Sequence, residues 1–138
     1  MMEDLIKILD SGNHSLVVEN GELLVFDGRG VADIYRLYSE YPAFLNGGRV
    51  ADKVIGKGAA ALMVAGKVKE VYARVISRPA FDLFTGAGIP LTYGTLVDNI
   101  INRRGDGICP VESLCKDCAT AEECLPLIAE FVNTLKNK

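Results

Sequence analysis

Residues 49–81, RVADKVIGKGAAALMVAGKVKEVYARVISRPAF, constrain the chain more than any other stretch. They read as a small-residue helix over residues 50–65 that runs into a strand over Val68–Ile76, where apolar positions alternate with Lys69, Glu70 and Arg74. Ser77 is placed to cap a following helix, and Pro79 is tolerated in its first turn because an amide there would have no intrahelical partner. Arg49, Lys53 and Lys57 recur every fourth residue, so in a helix they share one stripe beside Asp52. Gly56, Gly58 and the run from Ala59 to Ala61 would let another backbone approach closely. Such a cationic stripe is one way to build a site for an anionic small molecule.

Around this stretch the elements are short and alternate in type. Residues 3–10 read as a helix ended by Ser11-Gly12-Asn13, and Ser15–Glu19 and Glu22–Phe26 flank Asn20-Gly21, the pair that favours a tight two-residue hairpin. Val31–Tyr41 is predicted helical and closed by Pro42, with Asn46-Gly47-Gly48 as a joint. After Gly86-Ala87-Gly88 comes a short strand near Ile89–Tyr93, then a helix over Thr95–Asn102 and a polar loop, Arg103-Arg104-Gly105-Asp106-Gly107. The chain turns helical again from Pro110, with Thr120 and Glu123 as a capping box and Pro126 expected to bend or restart the last helix. A hairpin followed by helix, strand, helix and strand implies an α/β chain, a three-layer α/β/α sandwich around a mixed sheet.

The 138 residues suffice for one domain, 1–138, with a cysteine-rich helical segment at 109–138. The N-terminus, MMEDLIKILDSG, has neither the basic start nor the apolar core of a secretion signal, so a cytoplasmic location is expected. A net charge of −3 argues against a nucleic-acid or acidic-membrane binder, since phosphate contacts need a basic excess over one face. Yet residues 49–78 hold seven bases against Asp52 and Glu70, which leaves a local cationic region on an acidic protein. Self-association is compatible with the small-residue helix and with the edge strand of a short sheet.

Every cysteine falls within sixteen residues, Cys109, Cys115, Cys118 and Cys124, spaced C-x5-C-x2-C-x5-C. Zinc ribbons carry two C-x2-C knuckles, whereas this chain has only Cys115-Lys116-Asp117-Cys118. Three readings stand together: free thiols packed between helices, a zinc or iron–sulfur site, and a redox pair. Cys109 precedes Pro110 and would therefore sit at a helix N-cap, a position that favours thiolate, with Glu112 one turn in opposing it. His14, the one histidine, lies before the first strand and reads as a turn residue, so neither a Ser-His-Asp nor a Cys-His arrangement is available. Gly28-Arg29-Gly30 and Gly56-Lys57-Gly58 match neither the dinucleotide fingerprint nor the Walker loop.

The segments RVADKVIGKGAAAL and KEVYARVISRPA, with the later NRRGDGICPVE, resemble a family of prokaryotic proteins known only as a domain of unknown function and placed within the cytidine-deaminase-like fold. The similarity runs from the hairpin to about Glu112. It implies strand order 2-1-3-4, with room for a fifth strand, and little about activity. Zinc deaminases carry His/Cys-x-Glu at one helix start and Pro-Cys-x-x-Cys at another. The corresponding places are read as Ala51-Asp52-Lys53 and Ser77-Arg78-Pro79-Ala80-Phe81, without His, Cys or Glu, so no zinc cofactor is expected there. In place of the metal, Arg49, Asp52, Lys53, Lys57 and Arg78 are candidate ligands for a nucleotide-like or other anionic molecule, with Cys109 and Glu112 approaching from the later loop. Lys53, Asp52 and Cys109 are the catalytic candidates: a desolvated lysine oriented by Asp52, or the thiol with help from Lys53 or Arg104. The competing expectation is a metal-binding or redox-sensing module built on the four cysteines.

Overall fold

A computed structural model describes residues 2–28, 31–101, 107 and 109–136. Helix α1 (Met2–Ser11) carries Glu3 and Asp4 in its first turn, where carboxylates offset the positive helix end, and it buries Met2, Leu5 and Leu9 on one stripe. Strands β1 (Leu16–Asn20) and β2 (Glu22–Phe26) form the expected hairpin, but the turn differs. Asn20 pairs with Glu22, leaving Gly21 alone at the apex with φ of 80°. Asn20 stays in the strand because its Nδ2 donates to the carbonyls of Phe44 at 2.8 Å and Asn46 at 3.0 Å. Those acceptors follow α2 (Ala32–Glu40), in and just after the single turn α3 (Pro42–Leu45).

The helix expected over residues 50–65 is instead a strand and a shorter helix: β3 (Arg49–Ile55) and α4 (Lys57–Ala65). Tertiary pairing overrides the local pattern. Strand β3 is hydrogen-bonded on both sides, antiparallel to β1 and parallel to β4 (Glu70–Ser77), and β-branched Val50, Val54 and Ile55 suit that position. The stripe of Arg49, Lys53 and Lys57 therefore does not exist. Helix α5 (Arg78–Ala87) begins as expected: Ser77 Oγ accepts the Ala80 amide at 3.3 Å, and Gly88 closes the helix at a left-handed φ of 72°. Strand β5 (Leu91–Val97) takes in the start of the segment expected to be helical over 95–102, because Thr95, Leu96 and Val97 pair with Val75, Ile76 and Ser77. The polar loop and Arg104 lie outside the described residues, apart from Gly107.

The chain ends in α6 (Pro110–Leu114) and α7 (Ala121–Lys136). The capping box forms as expected, with the Glu123 amide 3.3 Å from Thr120 Oγ1 and the Thr120 amide 3.1 Å from Glu123 Oε2. The restart that Pro126 offered as an alternative to a bend does not occur: α7 is one continuous helix through it. Buried Cys124, Ile128 and Val132 hold both halves against the core, which offsets the amide that proline lacks.

The sheet has five strands in the order β2-β1-β3-β4-β5, antiparallel at the hairpin end and parallel beyond β3. Both parallel crossovers advance in the same direction, which puts α4 and α5 on one face. There Val50, Val71, Ile76, Leu62, Met63, Phe84 and Ile128 share one core with residues of α2, α6 and α7. Each large apolar side chain fully removed from water contributes roughly 1.5–3 kcal/mol. On the opposite face α1 packs over Val17 and Ala51. Helix α4 is interior to its layer, with Gly58, Ala60 and Ala61 buried, so these small residues serve packing within the chain.

The pairing of β3, β4 and β5 is interrupted at one height. Lys53, Arg74 and Gly94 drop out of the ladders, and buried positions on β4 shift from a spacing of two, Val71 and Ala73, to three, Ala73 and Ile76. The amide of Val54 turns to Asp52 Oδ1 at 3.3 Å, and a Cβ on Gly94 would lie 2.8 Å from the Arg74 carbonyl oxygen. The register is kept across the interruption, with Asp52 facing Ala73 before it and Val54 facing Val75 after it.

Candidate functional site

Beyond this interruption, the carboxyl ends of β3, β4 and β5 lead to the start of α4, where a buried carboxylate meets a buried ammonium-bearing residue. Glu112, on α6, is 3% exposed; its Oε2 accepts the Lys57 amide at 2.6 Å and its Oε1 accepts the Ile100 amide at 3.1 Å. One side chain thereby satisfies a free N–H at the positive end of α4 and fixes the backbone that follows β5. Glycine at 56 is required for this approach, because a Cβ there would lie 2.6 Å from Glu112 Oε2 and 3.3 Å from Ile100 Cγ1. At Gly58 a Cβ would overlap Val111 Cγ1, so α6 sits directly on the first turn of α4.

Lys57 is 7% exposed, and its side chain runs the other way along α6. Its Nζ donates to the carbonyls of Lys116 at 3.3 Å and Cys118 at 2.5 Å. Backbone and side chain of a single residue thus hold both ends of the α6 segment. Three thiols lie alongside: Cys115 and Cys124 are fully buried, and Cys118 is half-buried. The hydrogen bond from Cys124 lowers the Cys115 thiol below the ordinary cysteine range, and the same contact raises Cys124. Burial, then the Cys124 contact, raises Cys118. No group of three or more His, Cys, Asp or Glu side chains among the described residues is arranged to hold a metal ion.

A cleft of about 540 Å³ opens outside this junction. Val54, Val75 and Val97 supply one wall from the three parallel strands, and residues 98–101 supply the other. Its surface is mainly apolar, with Asp98 and Asn99 as the polar groups. Because Ile100 lines the cleft and its amide is held by Glu112, the carboxylate that plugs α4 also positions this wall. Asp52 lies one step back on β3. Burial, first of all, pushes its carboxyl up to about 7, the amides of Val54 and Lys53 partly oppose this, and the charge of Asp33 adds to it.

The expected site residues are distributed unevenly. Lys57 and Glu112 meet, as described. Arg49 sits at the other end of β3, roughly 20 Å from Lys57 at strand rise, between Glu19 at 3.5 Å and Glu70 at 3.2 Å. Lys53 points to the α1 face, with Nζ 2.5 Å from Asn13 Oδ1, so Asp52 does not orient it. Arg78 is exposed at the start of α5, its guanidinium 6.0 Å from the Phe81 ring centre. Cys109 is at the N-cap of α6 as expected, but it contributes its backbone, donating its amide to the Ile100 carbonyl at 2.8 Å, and its side chain makes no capping bond. His14 bonds Asp27 at 2.6 Å and ties the two ends of the hairpin. Residues unmarked in the sequence line the cleft: Val54, Val75, Val97 and Ile100 are ordinary strand and loop apolars, and only Gly56 beside Lys57 hinted at a close approach.

The chain belongs to the family described as TM1506, domain of unknown function (DUF1893), whose model matches residues 4–132. It is similar to a crystal structure of a DUF1893 family protein (TM1506) from Thermotoga maritima, at 25% identity and a TM-score of 0.86, over 94% of this chain and 88% of that one. No match is found among curated proteins.

Proposed function

We propose that the protein binds a small molecule in the cleft at the carboxyl ends of β3, β4 and β5, on a cytidine-deaminase-like scaffold that does not carry zinc chemistry. One observation carries the reading: a mainly apolar cleft of about 540 Å³ lies where parallel α/β sheets bind ligands, and its second wall is anchored by a buried carboxylate. The strand order β2-β1-β3-β4-β5, with one helix on one face and the crossovers on the other, supports the deaminase-like comparison. The residues do not fit the metal. With α4 beginning at Lys57, the first ligand place is Gly56-Lys57-Gly58 rather than Ala51-Asp52-Lys53, and the second is Ser77-Arg78-Pro79; neither offers His, Cys or Glu as a ligand.

The ligand class follows from the lining. Three valines and two isoleucines suit a flat, ring-sized body, and Asp98 and Asn99 suit its hydrogen-bonding edge. Arg78 begins α5 next to Ser77, the register partner of Val97, and is exposed, so an anionic substituent would gain from it. The anion does not sit on α4, whose amide Glu112 already holds. A nucleotide-like molecule meets these demands.

The test is a melting-temperature screen of the full chain against nucleosides, nucleotides and phosphorylated metabolites. At least one compound should raise the Tm of the wild type, and Val54→Glu should abolish the shift. Leu114→Glu, at a site 40% exposed against 47% for Val54 and outside the cleft, should retain it. A panel with no shift in the wild type, or a shift indifferent to Val54→Glu, overturns the reading.

A further inference from the structure

The second wall of the cleft is held from outside itself. Residues 98–100 follow β5 and belong to no helix or strand, yet both backbone groups of Ile100 are engaged. Its amide donates to Glu112 Oε1 at 3.1 Å and its carbonyl accepts the Cys109 amide at 2.8 Å, so both ties lead to α6. Helix α6 is only five residues long, and its N-cap residue, Cys109, makes no side-chain capping bond. Isolated helices shorter than about 12 residues are marginal in water, so α6 also depends on its neighbours. Lys57 holds it at two points. The Lys57 amide donates to Glu112 Oε2 near the start, and the Lys57 ammonium donates to the carbonyls of Lys116 and Cys118 just past the end. Between these points the segment is bonded throughout: the Ser113 amide to the Cys109 carbonyl at 3.0 Å, the Cys115 amide to the Val111 carbonyl at 3.1 Å, and the Cys118 amide to the Cys115 carbonyl at 3.0 Å.

We infer that the cleft wall at Ile100 and the segment 109–118 open and close as one cooperative unit, with the Lys57 side chain as its positioning residue. Lys57 is not among the residues that line the cleft, so it acts there through α6. Loss of the two ammonium bonds frees the turn at 115–118. A five-residue helix has too few internal bonds to persist with one end loose, and once α6 unwinds Glu112 no longer reaches the Ile100 amide. The link runs both ways, because two parts that open together stabilise each other equally. Whatever fixes the wall, a molecule in the cleft included, therefore also fixes the turn at 115–118. This consequence for ligand binding rests on the cleft reading, whereas the cooperative unit does not.

Hydrogen exchange of the full chain, read by NMR with no ligand added, tests the unit. In the wild type the amides of Ile100, Cys109, Cys115 and Cys118 should have protection factors within about threefold of one another, and lower than that of Val71 in β4. Lys57→Met keeps the backbone amide and removes the ammonium. It should speed all four by at least tenfold and leave the Ser15 amide, at the base of the hairpin, unchanged. Glu112→Gln, altered at the other end, should speed Cys118 as well as Ile100. Acceleration confined to Cys115 and Cys118 in the first variant, or to Ile100 in the second, overturns the proposal, as does equal acceleration at Ser15. Where Lys57→Met does not fold, the wild type decides, since unrelated protection factors at the four amides overturn it too. A compound screen without a Tm shift leaves this result standing, and independent opening at the four amides leaves the cleft reading standing.

Discussion

Glu112 Oε2 lies 2.6 Å from the Lys57 amide nitrogen, so a carboxylate of the chain itself occupies the positive end of α4. A helix end of this kind ordinarily welcomes an external phosphate or carboxylate. Here the anion is built in, and it also carries the Ile100 amide on its other oxygen.

Removing that carboxylate leaves two amides without their acceptor. Glu112→Ala should destabilise the protein by about 2–4 kcal/mol, and Glu112→Gln, which keeps an oxygen but loses the charge, by about 1–2 kcal/mol. Urea denaturation of the two variants and wild type measures the ordering. Equal stability of Glu112→Ala and wild type would show that water replaces the carboxylate without loss.

Asp52 makes stability depend on pH. Its carboxyl has an ordinary value of 3.8 and is raised to about 7 in the folded chain, chiefly by burial. Below the lower value both states are protonated and there is no penalty. As pH rises between the two values, the unfolded chain ionises first, so folding loses stability until the folded carboxyl also ionises. Asp52→Asn should therefore stabilise the protein by roughly 2–4 kcal/mol at pH 8. The gain should vanish near pH 4. A gain that stays constant across this range, in thermal unfolding at stepped pH, would assign it to something other than titration.

Two glycines should respond in opposite directions to the same substitution. Gly94→Ala places a Cβ 2.8 Å from the Arg74 carbonyl oxygen, a backbone atom, and should cost about 1–3 kcal/mol. Gly86, inside α5, has nothing within 4 Å of an added Cβ. Gly86→Ala should stabilise by about 0.5–1 kcal/mol through helix propensity and reduced freedom of the unfolded chain. Paired denaturation curves check both, and a stabilised Gly94→Ala would contradict the close approach of Gly94 to the Arg74 carbonyl.

Thr120→Ala removes the side-chain half of the box at the start of α7 and should cost about 1 kcal/mol. Hydrogen exchange should show the loss as faster exchange at the Glu123 amide, with β3 and β4 unchanged. Acceleration spread evenly over the sheet would mean that this cap does not act locally.

Local signals served well wherever neighbouring residues settle the matter. The hairpin, the Ser77 cap, the Gly88 stop and the Thr120–Glu123 box each involve groups a few residues apart, and each is present. Residues 50–55 and 95–97 read as helix from the local pattern because their periodicity is ambiguous, and pairing with β1 and β4 gives them a partner that no local pattern contains. For the same reason the supposed cation stripe came apart: a shift from 1.5 to 3.3 Å of rise per residue carries Arg49 and Lys57 to opposite ends of a strand. Of the expected site residues, Glu112 and Lys57 are the pair in contact, where the later segment meets the helix start.

From its sequence alone the chain determined an α/β alternation opened by a hairpin, the caps that bound its helices, and four cysteines confined to the last segment. Only the tertiary structure decided that the expected cations lie apart, that Glu112 fills the end of α4, that three valines and Ile100 face one cleft, and that Cys118 alone among three neighbouring thiols reaches solvent. The division has one physical cause. Caps and turns are made by atoms already close along the backbone, whereas a cleft or a buried amide–carboxylate contact joins residues far apart in sequence, such as Lys57 and Glu112, and exists only once the sheet has aligned them.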